Sequence, residues 1–512
     1  QTDGIPLFVE ELTKTVLEAG ILHEQAERYV LTGPLPALAI PETLQDSLMA
    51  RLDRLAPAKR VVQAAACIGR EFGAGLLADA LSMDRAELDG ALNQLLAAEL
   101  IFRLGGTEDD LRFLFKHALV QDAAYASLLT PTRRSLHEKL ALALEKSDDP
   151  DTLELARHFG EAGAYERAAE LYLVGGMQSL TASALPEAIG ALELGLNAVD
   201  QFDASIDQNR LELDIRVALG TARMANFGWA HPSVSDALEP AFPLAKQFSD
   251  ENALGSILWG LWVHYQTRTN FPRAWEWLGE LDEVARENPE TDLPLINDMS
   301  VGCQYFWEAQ HQRALAHTDH LKTIYVIERH AGIAASINHD PLVFAQHWAG
   351  SLADWIIGRP ERSVERLEEA VELARQIGHP FNCAFAMTAG VTSLLYIGRG
   401  EDVLAYTDEV QQIVNDEALG PFAQNVLVNQ WRGPAHIFIG QFEDGYPLIK
   451  QGNEFWNMAG GRICNAMFQS WIALGAQGLG RSGEASELID YTCLLYTSPS
   501  PRDNDWYLVC RL

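Results

Sequence analysis

A tight turn returns at nearly fixed intervals through the second half of this chain, and few folds accept that pattern. Gly358 is followed by Ser363 and Ala370, Gly440 by Gly445 and Gly452, and Gly480 by Ala485. With Thr269, Ala309 and Gly398 in the same series, the steps from Thr269 to Gly480 are 40, 49, 40, 42 and 40 residues. A small residue five and twelve positions after each turn is what a helical hairpin needs where its second helix crosses the first closely. Each period therefore reads as two antiparallel helices stacked on the next pair.

Composition narrows the field further. The chain has 512 residues, 48% of them hydrophobic, enough for several cores. Its formal charge of −33 argues against non-specific binding to nucleic acid or to an anionic membrane surface, both of which need a basic face. The six cysteines are scattered, without a Cys-x-x-Cys pair or a histidine at metal-ligand spacing, as expected of reduced thiols in a cytoplasmic protein. No apolar run approaches the ~18 residues of a membrane span. Gln1 opens in mid-motif, so the sequence reads as a C-terminal fragment of a longer polypeptide.

The first 150 residues have another organisation. Residues 1–56 hold a Gly/Pro turn at Gly4 and Pro6 and two helical segments, the second with Leu44, Leu48, Leu52 and Leu55 at helical spacing. Residues 57–149 read as three helices and a β-hairpin, the order of a winged helix. Asp84 and Glu87 open the third helix, which turns Leu88, Leu92, Leu95 and Leu96 inward. Two short strands, Leu100 to Leu104 and Leu111 to Phe115, flank a turn at Gly105 to Asp110. Asp84, Glu87, Asp89 and Glu99 make this third helix acidic, unsuited to a DNA groove. The solenoid is expected over 150–491, and 492–512 as a non-native or disordered tail, because helical periodicity stops after Asp490. The fold class expected is all-α: a winged helix with a small β wing, then an α-solenoid of tetratricopeptide-like hairpins.

Four ordered motifs carry a family resemblance: Gly4-Ile5-Pro6-Leu7-Phe8-Val9-Glu10-Glu11-Leu12, Ile40-Pro41 with Leu48-Met49-Ala50-Arg51-Leu52-Asp53-Arg54-Leu55, Gly69-Arg70-Glu71-Phe72, and Phe115-Lys116-His117-Ala118-Leu119-Val120-Gln121-Asp122-Ala123-Ala124-Tyr125. The chain resembles the large bacterial signalling proteins in which a class III adenylate/guanylate cyclase domain precedes a signal-transduction ATPase of the AAA-like superfamily and a tetratricopeptide array. Ile5 stands where Asn is commoner. The resemblance implies ATP or ADP with Mg in the parent protein, with Gly4 and Pro6 in the lid turn and His117 beside the bound diphosphate. It also implies upstream ATPase and cyclase domains in cis. The chain carries no phosphate-binding Gly-x-x-x-x-Gly-Lys-Ser/Thr loop, so no cofactor is expected on it alone.

No catalytic residues stand out. His23-Glu24 begins a His-Glu-x-x-His match that Glu27 breaks, and acidic pairs are abundant among 71 Asp and Glu. Gly358, Gly398, Gly440 and Gly480 are assigned as structural turns, and no metal ligands are assigned. Trp259, Trp262, Trp275, Trp277, Trp307, Trp348, Trp355, Trp431, Trp456 and Trp471 all fall in the array. They fill gaps between helices, or some grip a protein or peptide partner on the concave face. The function expected is regulatory, with the array sensing a partner or signal and passing it to a nucleotide switch. The alternatives are part of an ATPase-type transcriptional regulator and a free-standing adaptor.

Overall fold

The computed structural model describes residues 52–106, 111–147, 149–202 and 205–497, with the backbone of two further strands, β1 (Leu22–Gln25) and β2 (Arg28–Leu31), paired antiparallel. Gly4, Pro6 and the segment from Ile40 to Arg51 lie outside the described residues. The chain divides into two compact units, Gln1–Tyr172 and Leu173–Leu512, and the division falls inside the helix Tyr165–Thr181.

In the first unit the helices Ala56–Ile68, Ala74–Leu81 and Arg85–Ala97 precede the strands β4 (Ile101–Gly106) and β5 (Leu111–Phe115). A short strand, β3 (Glu71–Gly73), absent from the expectation, lies between the first two helices and makes an antiparallel sheet of order β3-β5-β4. Three residues give too short a run for alternation to signal a strand. Phe72 faces Phe113 across the β3-β5 pair, stacked at 5.8 Å, and tilts against Phe115 at 5.4 Å. Those rings close the core over Leu77, Leu88, Leu92 and Leu95, and Leu96 packs at its edge. The third helix starts where Asp84 accepts from the Glu87 N–H at 2.8 Å, satisfying a donor that the first helical turn leaves free.

The second unit is a stack of helical hairpins, and the protein is all-α in class. Glu251–Thr267 pairs with Phe271–Glu287, Leu293–Trp307 with His311–Ile324, and Asn465–Gly478 with Ser482–Thr497. The turn residues between them have left-handed backbones, with φ of +65° at Thr269, +59° at Ala309, +85° at Gly358, +81° at Gly398, +85° at Gly440 and +74° at Gly480. Glycine adopts that region without the steric cost a Cβ brings. The long step of 49 residues accommodates two extra short helices, Ile327–His330 and Ile333–Ile337. The last helix runs to Thr497, past the end of the periodicity at Asp490. Elongating an existing helix fixes only one residue per new hydrogen bond, so a helix can outrun its amphipathic pattern.

Small residues sit where the hairpins cross. Ala274, Ala314, Ser363, Ala370 and Ala485 are buried, and a Cβ on Gly452 would meet the Asn425 carbonyl at 2.7 Å. The tryptophans supply the bulk of the core, Trp259 and Trp262 being 1% exposed and Trp277, Trp307, Trp431, Trp456 and Trp471 also buried. Each such side chain removes ~150–250 Å² from water, a gross gain of ~4–6 kcal/mol at ~25 cal/mol per Å². Trp275, Trp348 and Trp355 remain half-buried.

The array also curls onto itself. The Thr267 carbonyl accepts from the Arg462 and Ile463 N–H groups at 2.9 and 3.2 Å, and the Ser183 hydroxyl donates to the Glu417 carbonyl at 3.0 Å. The Trp229 and Phe422 rings meet at 5.2 Å. Hairpins about 200 residues apart in sequence therefore touch across the inner face.

Candidate functional site

Three consecutive first helices on the inner face break their α-helical pattern at the same level. Pro341–Ala345 passes through a π-helical stretch, Gln346–Leu352, into Ala353–Ile356. Pro380–Ala386 is interrupted by turns before Thr392–Tyr396. Gly420–Phe422 runs into a second π-helical stretch, Ala423–Asn429, and then Gln430–Phe438. A π turn inserts a residue into the ladder and re-aims the side chains around it, and such turns concentrate at functional sites.

Beside them lies a hollow with two neighbouring lobes, both lined by Trp348 of the π-helical stretch Gln346–Leu352. The first, about 70 Å³, is lined by Phe306, Trp307, Trp348, Trp355, Tyr396, Met467 and others; the second, about 50 Å³, by Trp229, Phe344, Phe385, Gln430, Trp431, Phe468 and others. Trp307, Trp348 and Cys464 line both lobes. Ring pairs set the walls: Trp307 and Trp348 at 5.1 Å, Trp355 and Tyr396 stacked at 6.0 Å, Phe344 and Phe385 stacked at 5.1 Å. Among the described residues no charged side chain lines either lobe. Two lining polar groups are buried without a hydrogen-bond partner among the described residues, the Thr392 hydroxyl and the Gln430 Nε2, in residues 4% and 2% exposed. Buried polar groups are ordinarily paired, so two left unpaired beside one hollow are unusual.

Beside the hollow lies a polar layer that periodicity and spacing do not reveal. Arg366, 5% exposed, donates to Asp354 at 2.7 Å, to Gln346 at 3.1 Å and to Asp319 at 2.6 Å, tying the π-helical segment to the helix Pro360–Ile377. His339 and His347 are fully enclosed, with all four ring nitrogens unpartnered among the described residues. Burial holds the His347 imidazole at about 3 and drives His339 well below its ordinary value. Asp340 caps the helix Pro341–Ala345 through the Leu342 and Val343 N–H groups, accepts from Tyr325 at 2.5 Å, and is pushed up to about 6 by burial.

The residues assigned from the sequence do not gather there. His117 precedes the helix Ala118–Ala126 in the first unit as its N-cap, but its side chain makes no capping bond, and its Nε2 is buried without a partner among the described residues. Gly358, Gly398, Gly440 and Gly480 are hairpin turns with open space around them. Among the described residues no group of three or more His, Cys, Asp or Glu is placed to hold a metal, and no helix is long and apolar enough to cross a membrane.

The first unit holds two other clusters. Arg157 donates to the Cys67 and Ile68 carbonyls at the end of the helix Ala56–Ile68, and to His158 Nε2 at 3.0 Å. A guanidinium only donates, so His158 carries its proton on Nδ1 and passes a bond to His137 Nδ1 at 2.9 Å; His137 Nε2 then donates to Tyr125, and Tyr125 to Glu161. Burial holds both imidazoles neutral, which makes this chain a strut between helices. A polar cleft of about 680 Å³ beside Arg112 and Lys146 is lined by both signs of charge and by none of the unpartnered buried groups.

No family model matches the chain. It is 24% identical over 508 residues to an uncharacterized protein of Rhizobium meliloti (strain 1021), covering 96% of this chain and 45% of that one. The chain thus spans about half the length of the curated relative it matches. Among solved structures it is similar to a signal transduction ATPase with numerous domains from Pyrococcus horikoshii that carries a tetratricopeptide repeat sensor (11% identity, TM-score 0.40, covering 96% of this chain and 68% of that one). It is also similar to a Rap protein complexed with Competence and Sporulation Factor (13% identity, TM-score 0.41, covering 65% and 88%), and to aspartyl phosphate phosphatase F from Bacillus subtilis (10%, 0.40, covering 72% and 90%). These are similarities of helical-repeat architecture.

Proposed function

We propose that this chain is the sensing and regulatory part of a nucleotide-switch signalling protein. The array receives a protein, peptide or other signal on its inner face, and the first unit, read as a lid and winged helix, relays the bound state to an ATPase core and a cyclase domain of the longer polypeptide. The observation that supports it is the hollow itself: aromatic walls, two unpartnered buried polar groups, and backbone distortion at one level of three successive hairpins. A scaffold that only spaced domains apart would gain nothing from leaving a core unfilled and polar groups unpaired.

On this reading ATP or ADP with Mg binds the upstream core, and Gly4, Pro6 and His117 contribute contacts only when that core is present. The test is diphosphate release from the longer polypeptide, followed with a fluorescent ADP. Trp348→Ala should change the release rate at least threefold, and Gly279→Ala, remote from the hollow, should leave it unchanged. Equal rates in wild type and Trp348→Ala would remove the coupling between array and switch.

A further inference from the structure

The inner face closes on itself along a seam whose two sides are cut to fit. Gly460, with φ of +91°, packs where an added Cβ would stand 2.7 Å from Arg268 Nη1 and 2.9 Å from the Ala230 carbonyl oxygen, to which Arg268 donates at 2.8 Å. From the other side Gly228, also at +91°, would put a Cβ 2.8 Å from the Phe422 ring, and a Cβ on Gly420 would meet Leu185 Cδ1 at 2.8 Å. The hairpin-turn glycines Gly358, Gly398, Gly440 and Gly480 share the left-handed backbone but have open space around them, so turning the chain does not by itself call for such contact. Across the seam the Thr267 carbonyl accepts from the Arg462 and Ile463 N–H groups, and the Glu417 carbonyl from the Ser183 hydroxyl.

Behind this close fit the packing is loose. The second lobe draws its walls from both sides of the seam, Trp229 and Thr267 from one, Trp431, Ile463 and Phe468 from the other, with about 50 Å³ between them. In the hairpins that connect the two sides, the first helices leave the α-helical ladder at Gln346–Leu352 and at 387–391. Helices bend where that ladder is interrupted, and a contact backed by loose packing opens at less cost than the core around it.

We propose that the array is a clasp. The hairpins up to Ile324 and those beyond Asp416 form two jaws, which part along the seam and turn on the interrupted helices between them. The structure is the closed form, and parting the jaws opens the aromatic hollow on the side of Trp229 and Ile463. For its use this rests on the sensing reading, to which it adds the movement that admits the signal and carries it along the chain.

Hydrogen–deuterium exchange and small-angle scattering on the 512-residue chain test this with single methyl groups placed in the seam. Gly460→Ala should speed exchange at least tenfold both at 459–464, on its own jaw, and at 225–231, on the opposite one, and should increase the radius of gyration with circular dichroism unchanged. Gly228→Ala, made on the other jaw, should give the same pair of responses. Gly480→Ala brings a left-handed alanine away from the seam and should change neither segment. Faster exchange confined to the substituted jaw, an unchanged radius of gyration, or the same response in Gly480→Ala overturns the clasp. Loss of circular dichroism in both seam variants overturns it as well, because jaws that part keep their helices. If the seam does not part while Trp348→Ala still alters diphosphate release, the clasp falls and sensing stands; if the seam parts while release is unaffected, the movement stands and sensing falls.

Discussion

Replacing Gly452 by alanine should destabilise the array, although alanine is ordinarily the better helix residue. Gly452 lies within the helix Phe442–Met458, where an added Cβ would stand 2.7 Å from the Asn425 carbonyl oxygen, 2.9 Å from the Gln430 nitrogen and 3.0 Å from the Gln430 Cα. All three are backbone atoms and cannot swing aside. The substitution gains ~0.5–1 kcal/mol from backbone entropy and propensity, while forcing two packed helices apart costs ~1–3 kcal/mol. The net expectation is a loss of ~1–2 kcal/mol. Gly279, inside the helix Phe271–Glu287 with no atom within 4 Å of its added Cβ, supplies the opposite case and should gain ~0.5–1 kcal/mol on becoming alanine. Urea titrations followed by tryptophan fluorescence should separate the two variants by ~1 M in midpoint, given a slope of ~1–3 kcal/mol per M. A Gly452→Ala midpoint at or above that of Gly279→Ala would refute the close-crossing argument.

Asp354→Leu should cost ~3–5 kcal/mol by leaving Arg366 buried without its buried carboxylate partner, and Asp354→Leu with Arg366→Met should recover most of it; a double variant no more stable than the single one contradicts this. His347 titrates near 3 when folded, below the ordinary 6.5 of the unfolded chain, so the stability its neutral form contributes is present above pH 6.5 and is lost as pH falls toward 3. His347→Leu should therefore gain ~2 kcal/mol relative to wild type between pH 8 and pH 5, at ~1.4 kcal/mol per pH unit, and a difference independent of pH would count against it. The chain alone should show no ATP binding by calorimetry at submillimolar concentration, while His117→Ala in the longer polypeptide should speed diphosphate release; unchanged release leaves His117 structural.

The array was legible because its turns demand particular residues. Only glycine enters the left-handed region freely, so Gly358, Gly398, Gly440 and Gly480 stand out in the sequence, and the small residues at the crossings follow from their offsets. The hollow was not legible. Tryptophans that fill a core and tryptophans that line a cavity look alike in sequence, and here Trp262 does the first while Trp348 does part of the second. The π-helical stretches at Gln346–Leu352 and Ala423–Asn429 leave the apolar pattern nearly intact, so periodicity passes over them. Thr392 and Gln430 become visible only once their neighbours are placed and found to offer no partner. The one available hint is the run Thr388-Ala389-Gly390-Val391, where small and β-branched residues interrupt a helix whose counterparts in the flanking hairpins are distorted at the same level.

Hydrogen–deuterium exchange on wild type and Trp348→Ala tests most directly the premise of the sensing proposal, that the three distorted segments around the hollow respond together. Amides of residues 346–352, 387–392 and 423–430 should all exchange faster in Trp348→Ala, while the helices Phe271–Glu287 and Gly400–Asp416 exchange as before. Unchanged exchange in those three segments, or a change confined to the two helices, would contradict it.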